Sequence, residues 1–136
     1  MNLHWVRALD PVFDKKGKVV GWYRPDGAIT DRLGQYRAFV SNGGVFDYHS
    51  HFLGGLQDGY FRDRDGKAVA FLREARDGPP LPRTGAEPQL PVQGPEPVRP
   101  SRPLVPRRIP SYAKKWSELS WDDFLGGRHI FIAYRR

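Results

Sequence analysis

A four-residue turn motif that starts at an aspartate recurs at nearly constant spacing along the first half of the chain. The aspartates are 17, 16 and 16 residues apart: Asp14, Asp31, Asp47 and Asp63. In three of the four copies glycine is the third residue after the aspartate, and the remaining copy has Ser50 there. A fixed period of this kind indicates a chain built from equivalent supersecondary units.

Each unit has the composition of a short β-hairpin. The aspartate can bond the backbone two residues on, and the glycine supplies a positive φ. β-prone stretches follow, such as 18–23 and 67–72, and a second turn returns the chain at Pro25-Asp26-Gly27, at Asn42-Gly43-Gly44 and at Asp58-Gly59. Residues 1–78 are therefore predicted to be an all-β module of four short antiparallel hairpins with pseudo-fourfold symmetry.

A column of small residues lies seven positions after each aspartate: Gly21, Ala38, Gly54 and Ala70. The next position holds Trp22, Phe39, Gly55 and Phe71. Small beside large, in three of the four repeats, predicts strands that converge near an axis, with the aromatic rings on the opposite face. The alternative is that glycine and alanine merely fit a tight core.

Two runs in the repeats, FDKKGKVVGWY at 13–23 and FRDRDGKAVAFL at 61–72, resemble the bacterial proteins classed as 4-fold β-flower. The segment WSELSW at 116–121 is similar to the Trp-Ser-rich end of some members. The resemblance implies four hairpins in pseudo-fourfold arrangement. It implies no activity and no functional residues. The third repeat departs from the pattern at Ser50 and Gly55, which puts strict symmetry in doubt there.

The rest of the chain divides by composition. Residues 79–110 hold 11 of the 13 prolines, which exclude helix and interrupt strand pairing, so we predict a Pro-rich extended or disordered linker. In 111–136 Ser120 is a candidate N-cap and Gly126 a candidate stop for a one-turn helix, followed by a strand over 129–134. Because so short a helix is unstable alone, this segment must dock in cis or on a second subunit.

Bulk composition limits the function classes. The chain lacks cysteine, which excludes disulfides and cysteine-ligated zinc. No apolar run has the length of a membrane span, and the N-terminus lacks the apolar stretch of a secretory leader. We therefore predict a cytoplasmic protein with no membrane partner. The net charge of +7 lies mostly after residue 78, where ten Lys and Arg face five Asp and Glu.

Catalytic and metal sites find little support in the sequence. The four aspartates could form a carboxylate ring for Ca²⁺, but capping of their own turns fully explains their positions. His49 and His51 could join another histidine on a metal ion, although no third ligand stands at a fixed spacing. No nucleophile elbow, P-loop or zinc-protease motif is present. We expect no enzyme, cofactor or metal.

Three binding hypotheses remain. The leading one is a non-enzymatic interaction module with a protein partner or with a second copy. The first alternative is nucleic-acid binding by a basic arm next to aromatic residues: Arg99, Arg102, Arg107, Arg108, Lys114 and Lys115. The second is a small-ligand or metal site in a notch left by the missing aromatic at Gly55, lined by His49, Ser50, His51, Trp22 and Phe39.

Overall fold

The structure, a computed structural model, describes residues 9–101 and 113–127. Eight short strands pair antiparallel in chain order: β1 (Asp10–Asp14), β2 (Val19–Tyr23), β3 (Ala28–Asp31), β4 (Tyr36–Ser41), β5 (Gly44–Phe46), β6 (Phe52–Gln57), β7 (Tyr60–Arg62) and β8 (Ala68–Phe71). The first and last strands also pair, so the sheet closes into a barrel and leaves no free edge. The predicted all-β fold of four hairpins is confirmed. The sequence did not predict that the sheet closes into a barrel.

The four hairpins share one irregularity. In the first, Val12 pairs with Gly21 while Phe13 pairs with Val19, so Val20 is an extra, unpaired residue. The register shifts at the equivalent place in the other three hairpins, where the extra residues are Arg37, Leu53 and Val69. A bulge of this kind bends its strand and increases the local twist. Four equivalent bulges therefore help to curve eight short strands into a closed barrel.

The column of small residues (Gly21, Ala38, Gly54 and Ala70) lines the barrel interior beside these bulges, as predicted for strands that converge near an axis. A Cβ on Gly21 would overlap the carbonyl oxygen of Thr30 and lie 3.2 Å from Trp121 Nε1. A Cβ on Gly54 would overlap the neighbouring strand's carbonyl and lie 2.9 Å from Phe124 Cε1. The first and third repeats therefore need glycine, because strand backbone and two later aromatic residues occupy the space.

Most of the buried apolar side chains form two groups, one inside the barrel and one on its outer wall. The interior group combines residues of all four hairpins with three from the C-terminal segment: Val12, Ile29, Val45 and Phe61 with Trp121, Phe124 and Leu125. The outer group is built around stacked Phe13 and Phe71, whose ring centroids are 5.3 Å apart, and includes Trp22 and Tyr60. The outer face is therefore covered and does not face solvent as an open sheet would.

Residues 79–101, called the arm below, contain no helix or strand and lie along the barrel. Tyr60 Oη donates a hydrogen bond to the carbonyl of Pro79 at 2.5 Å, and the N–H of Gly85 donates to Gly17 at 2.9 Å. Further on, Tyr36 Oη donates to the carbonyl of Gly94 at 2.8 Å. The arm therefore passes hairpins four, one and two in turn, in contact with its own barrel. The division of the chain at residues 78 and 110 stays a prediction.

Residues 113–127 return to the fourth hairpin and end in one helical turn. The N–H of Ala68 donates to Lys115 at 2.9 Å, and the turn spans Asp123–Gly127 with π-helical geometry. At the predicted cap the N–H of Asp123 donates to Ser120 Oγ at 3.1 Å, and at the predicted stop Gly126 has φ 109°. The predicted strand over 129–134 lies outside the described residues.

Candidate binding site at the aspartate-turn end of the barrel

The four aspartate turns lie at one end of the barrel, and their carboxylates hold them in the same way. In each turn Oδ1 accepts the N–H groups of the second and fourth residues after the aspartate, at 2.8–3.0 Å. This geometry confirms the turn-capping interpretation over a carboxylate ring. Within the part of the chain that the structure describes, no group of three or more His, Cys, Asp and Glu is placed to hold a metal ion.

The third turn keeps this geometry in spite of its different sequence. Ser50 has φ 70°, close to the 83°, 86° and 85° of the glycines in the other three turns. The second carboxylate oxygen of Asp47 lies 2.8 Å from Nδ1 of His51. The departure from symmetry expected at this repeat therefore changes the residue and leaves the turn itself intact.

Three side chains of the C-terminal segment close this end of the barrel. Trp121, Phe124 and Leu125, called the plug below, are 5%, 0% and 3% exposed and belong to the interior core. Trp121 meets Phe61 edge-on with ring centroids 5.1 Å apart, and it stacks on Phe124 at 5.5 Å. These three side chains of the segment predicted to dock are therefore buried in the protein's own barrel.

Polar contacts between the aspartate turns and the C-terminal segment accompany the plug. Ser117 Oγ donates to the second carboxylate oxygen of Asp63 at 2.6 Å, and Lys15 Nζ donates to the carbonyl of Ser117 at 3.2 Å. Arg37, the extra residue in the second hairpin, forms an ion pair with Asp122 at 3.0 Å. Three of the four hairpins thus hold this segment by polar contacts.

A cleft of about 650 Å³ opens between the first two aspartate turns and this segment. Its apolar surface is contributed by Val20, Val69, Leu119 and Trp121. Its polar lining comes from the two turns and from the residues beside the plug: Asp14, Lys15, Lys16, Asp31, Arg32, Arg37, Ser120 and Asp122. The combination of an apolar surface with a few charged groups is typical of ligand-binding clefts.

The exposed charges on the rim of this cleft are mainly positive. Lys15, Lys16 and Arg32 are exposed, whereas Asp14 and Asp31 are half-buried and turned back to their own turns. Leu33, also in the lining, is 76% exposed. The rim therefore offers two kinds of contact, cations and an apolar side chain.

The family model described as 4-fold beta flower protein matches residues 10–125. The chain belongs to the 4-fold beta flower family. The match extends beyond the four hairpins to the last residue of the plug, so the family pattern covers the arm and the plug as well as the beta flower barrel.

No curated protein and no solved structure matches the chain significantly. Within residues 9–101 and 113–127, no helix has the length and apolar character needed to cross a membrane. Neither result identifies a ligand for the beta flower barrel. The candidate site therefore depends on its geometry alone.

The structure does not bring together the five residues of the predicted small-ligand site. His49, Ser50 and His51 lie exposed at the tip of the third turn. Trp22 and Phe39 project from β2 and β4, which are separated by β3, and each is 1% exposed. Trp22 packs in the outer-wall group, whereas Phe39 stacks on Phe46 at 6.0 Å.

The open notch predicted beside Gly55 is also not seen in the described part of the chain. Gly55 is buried and pairs with Arg62 on β7, whose side chain is 1% exposed. A missing ring at Gly55 does not open this wall to solvent, because Gly55 is itself buried. A ligand at these five residues stays a prediction without geometric support.

The residues of the predicted nucleic-acid site fall into three groups. Arg99 bonds Glu96 through Nε at 2.6 Å, and its guanidinium carbon lies 5.2 Å from the ring centroid of Phe39, so it fastens the arm to the barrel. Lys114 and Lys115 are exposed next to the fourth hairpin. Arg102, Arg107 and Arg108 lie outside the described residues.

Sequence reasoning missed Arg62, the most deeply buried charged residue in the described part of the chain. Its Nη1 donates to the carbonyls of Gly66 at 2.8 Å and Ala113 at 2.6 Å, and its Nη2 donates to Asp77 at 3.0 Å. Arg62 therefore joins the fourth aspartate turn to Asp77, which precedes the arm, and to Ala113, the first described residue after the arm. The available indication was an arginine in the column that holds Phe13 and Phe46 in other repeats.

The cleft-lining cations Lys16 and Arg32 were missed for another reason. They occupy the tips of two predicted turns, where charged residues are ordinary. Only the closed barrel and the plug place them around one cleft, so no local pattern in the sequence marks them.

Proposed function

We propose that this protein is a non-catalytic binding module that binds an acidic segment of a protein partner in the cleft between the first two aspartate turns. The observation that carries the proposal is the cleft itself, in which an apolar surface formed partly by the plug is bordered by exposed Lys16 and Arg32. The proposal keeps the leading hypothesis of an interaction module and gives it a location.

The apolar part of the cleft supports binding of an aromatic or aliphatic side chain. Val20, Val69 and Trp121 come from the first hairpin, the fourth hairpin and the plug, so the surface exists only in the assembled barrel. Its volume of about 650 Å³ is within the common range for ligand clefts. Burial of one large apolar side chain contributes on the order of 1.5–3 kcal/mol.

The charges support an acidic partner. Lys16 and Arg32 lie on neighbouring turns and are exposed, whereas the carboxylate of Asp122 is paired with Arg37. Cations around an apolar cleft attract acidic segments and discriminate against basic ones. Exposed Leu33 adds an apolar contact at the rim.

The hydroxyl and carboxylate groups of the cleft support a binding role rather than catalysis. Asp14 and Asp31 each accept two backbone N–H groups of their own turns. Ser120, which supplies the one hydroxyl among the lining residues, accepts the N–H of Asp123 as a helix cap. Among the described residues that line the cleft there is neither histidine nor cysteine. These described residues therefore offer no nucleophile next to a general base.

The test is selection of a displayed random-peptide library on the full-length protein, followed by fluorescence anisotropy with the enriched peptides. We expect enrichment of peptides with two or more acidic residues next to an aromatic or aliphatic residue. The double variant K16E/R32E should weaken their binding at least tenfold, or about 1.4 kcal/mol.

The matched control is K18E/K67E, which changes the net charge equally at two exposed lysines outside the cleft lining. It should leave peptide affinity within a factor of about two. Enrichment of neutral or basic peptides, or equal weakening by both double variants, would overturn the proposal.

Nucleic acid is the second candidate, supported by the exposed cations at this end of the barrel. Eight exposed Lys and Arg compare with three exposed acids, Asp65, Glu118 and Asp122. The cations are Lys15, Lys16, Lys18, Arg32, Arg64, Lys67, Lys114 and Lys115. Binding of a single-stranded oligonucleotide should then fall steeply with salt and weaken in both double variants, because phosphate contacts are spread over the surface.

A further inference from the structure

The second half of the arm contacts the barrel at every third residue. Gln93 Nε2 donates to Thr30 Oγ1 at 2.9 Å, and Glu96 accepts the hydroxyl of Tyr48 at 2.7 Å. Arg99 then lies over the ring of Phe39. Polyproline II has three residues per turn, so side chains three apart share one face. The spacing of the contacts is therefore that of a polyproline II segment held by one face.

A second face of the same segment carries exposed apolar residues with the same period. Val92 is 94% exposed and Val98 is 91% exposed, and Pro95 between them is also exposed. Of the five exposed large hydrophobic residues in the described part of the chain, four lie on the arm. A periodic row of exposed apolar residues marks an interaction surface more strongly than scattered ones do.

The barrel holds this row in an extended form. The pKa of Tyr48 is raised well above its ordinary value by burial and by the hydrogen bond to Glu96, so the hydroxyl stays protonated and bonded at neutral pH. Arg99 Nε donates a hydrogen bond to Glu96, and Arg99 Nη2 lies 3.6 Å from Asp26 Oδ1. Because these contacts order the backbone in advance, a partner would not have to order it on binding.

We propose that Val92, Pro95 and Val98, called the ridge below, form a preorganised polyproline II ligand for a partner protein with an aromatic-lined groove. Such grooves bind proline-rich segments by packing aromatic rings against residues spaced three apart. Successive ridge residues are about 9.3 Å apart, from 3.1 Å per residue. An acidic or basic docking surface is less favoured, because the neighbouring charges Glu96 and Arg99 are bonded to each other.

The test is binding of the full-length protein to an array of purified SH3, WW and EVH1 domains, measured by fluorescence anisotropy with the domains in excess. At least one domain should bind saturably. The variant V92D/V98D should weaken that binding at least tenfold, because it places charges in an aromatic groove while changing side chains that are almost fully exposed.

Two control variants separate loss of the ridge from loss of structure. V98P should retain binding, because proline favours the polyproline II backbone. L81D, at an exposed apolar residue of the arm outside both the ridge and the cleft lining, should also leave binding unchanged. Absence of binding to every domain, or binding that V92D/V98D leaves intact, would overturn the proposal. K16E/R32E should leave the affinity for these domains unchanged. This test of the ridge therefore does not depend on whether the cleft binds an acidic segment.

Discussion

The two ends of the barrel are closed in different ways. At the end away from the aspartate turns, each hairpin contributes one partly buried side chain packed on the core: Tyr23, Val40, Leu56 and Leu72. At the aspartate-turn end, one later segment supplies Trp121, Phe124 and Leu125. The first closure repeats with the hairpins, whereas the second is asymmetric and requires glycine at two of four equivalent positions.

This difference has a functional consequence. The repeated closure leaves no exposed large hydrophobic residue among its four members, whereas the plug forms part of a cleft bordered by cations. A symmetric barrel can thus acquire one distinct site when a single asymmetric segment enters one end. The following predictions test how different the two ends are, beginning with the largest expected effect.

Replacing the central residue of the plug should destabilise the protein far more than replacing a residue of the repeated closure. W121A removes a side chain that is 5% exposed and should lower the free energy of unfolding by about 3–5 kcal/mol. L72A, at a partly buried position, should lower it by about 1–2 kcal/mol. Urea denaturation measures both, and a smaller loss for W121A than for L72A would show that the plug does not complete the core.

The position that receives the plug should not tolerate one added methyl group. G54A places a Cβ against the carbonyl of Arg62 and near Phe124, which should lower the free energy of unfolding by about 2–3 kcal/mol. G94A on the arm is the control, because nothing lies within 4 Å of the added atom. Equal stability of the two variants in thermal denaturation would show that Gly54 is not required to make room for the plug.

Two equivalent aspartates should differ in their contribution to stability. D14A removes a turn cap, at about 1–2 kcal/mol, whereas D63A removes a cap and the bond to Ser117 Oγ and should lose about 1 kcal/mol more. Chemical denaturation of both variants and of S117A completes the comparison. If D63A and D14A are equally destabilised, Ser117 does not help to hold the C-terminal segment.

Alkaline pH should loosen the arm. The folded state raises the pKa of Tyr48 through burial and its bond to Glu96, so this contribution to stability is complete below the ordinary tyrosine pKa of about 10. It is lost as the pH rises from there toward the folded value, because the unfolded chain ionises first. Urea denaturation at pH 8 and pH 11 should show a smaller pH effect in Y48F than in the unsubstituted protein. An unchanged pH effect would contradict the Tyr48 bond.

The smallest expected change is an increase in stability at the third aspartate turn. Ser50 has φ 70°, a conformation that glycine adopts without the steric strain of a side chain. S50G should raise the free energy of unfolding by about 0.5–1 kcal/mol, as measured by thermal denaturation. Destabilisation instead would show that the Ser50 side chain contributes to the turn.

The four hairpins were predictable because each aspartate turn is a local structure. Asp14 bonds N–H groups only two and four residues away, so the turn forms from neighbours in the chain. The cap at Ser120 and the stop at Gly126 were predictable for the same reason. The cleft was not, because Lys16 and Trp121 share it only after the plug enters the barrel.

A spacing in the arm could have indicated its ordered path and was overlooked. From residue 79 to residue 100, every third position is proline or glycine: Pro79, Pro82, Gly85, Pro88, Pro91, Gly94, Pro97 and Pro100. Such a period matches the three residues per turn of polyproline II. Counting prolines alone predicted an extended or disordered linker and concealed this regularity.

The sequence by itself determined the number of hairpins, the position of each aspartate turn and the pseudo-fourfold repeat, because bonds between residues two to four apart form without the rest of the fold. Only the tertiary structure decided that β8 pairs with β1, that the arm follows the barrel wall and that Trp121 fills its end. Those contacts join residues more than fifty positions apart: the pairing of β8 with β1 closes the barrel, and the other two contacts depend on the closed barrel.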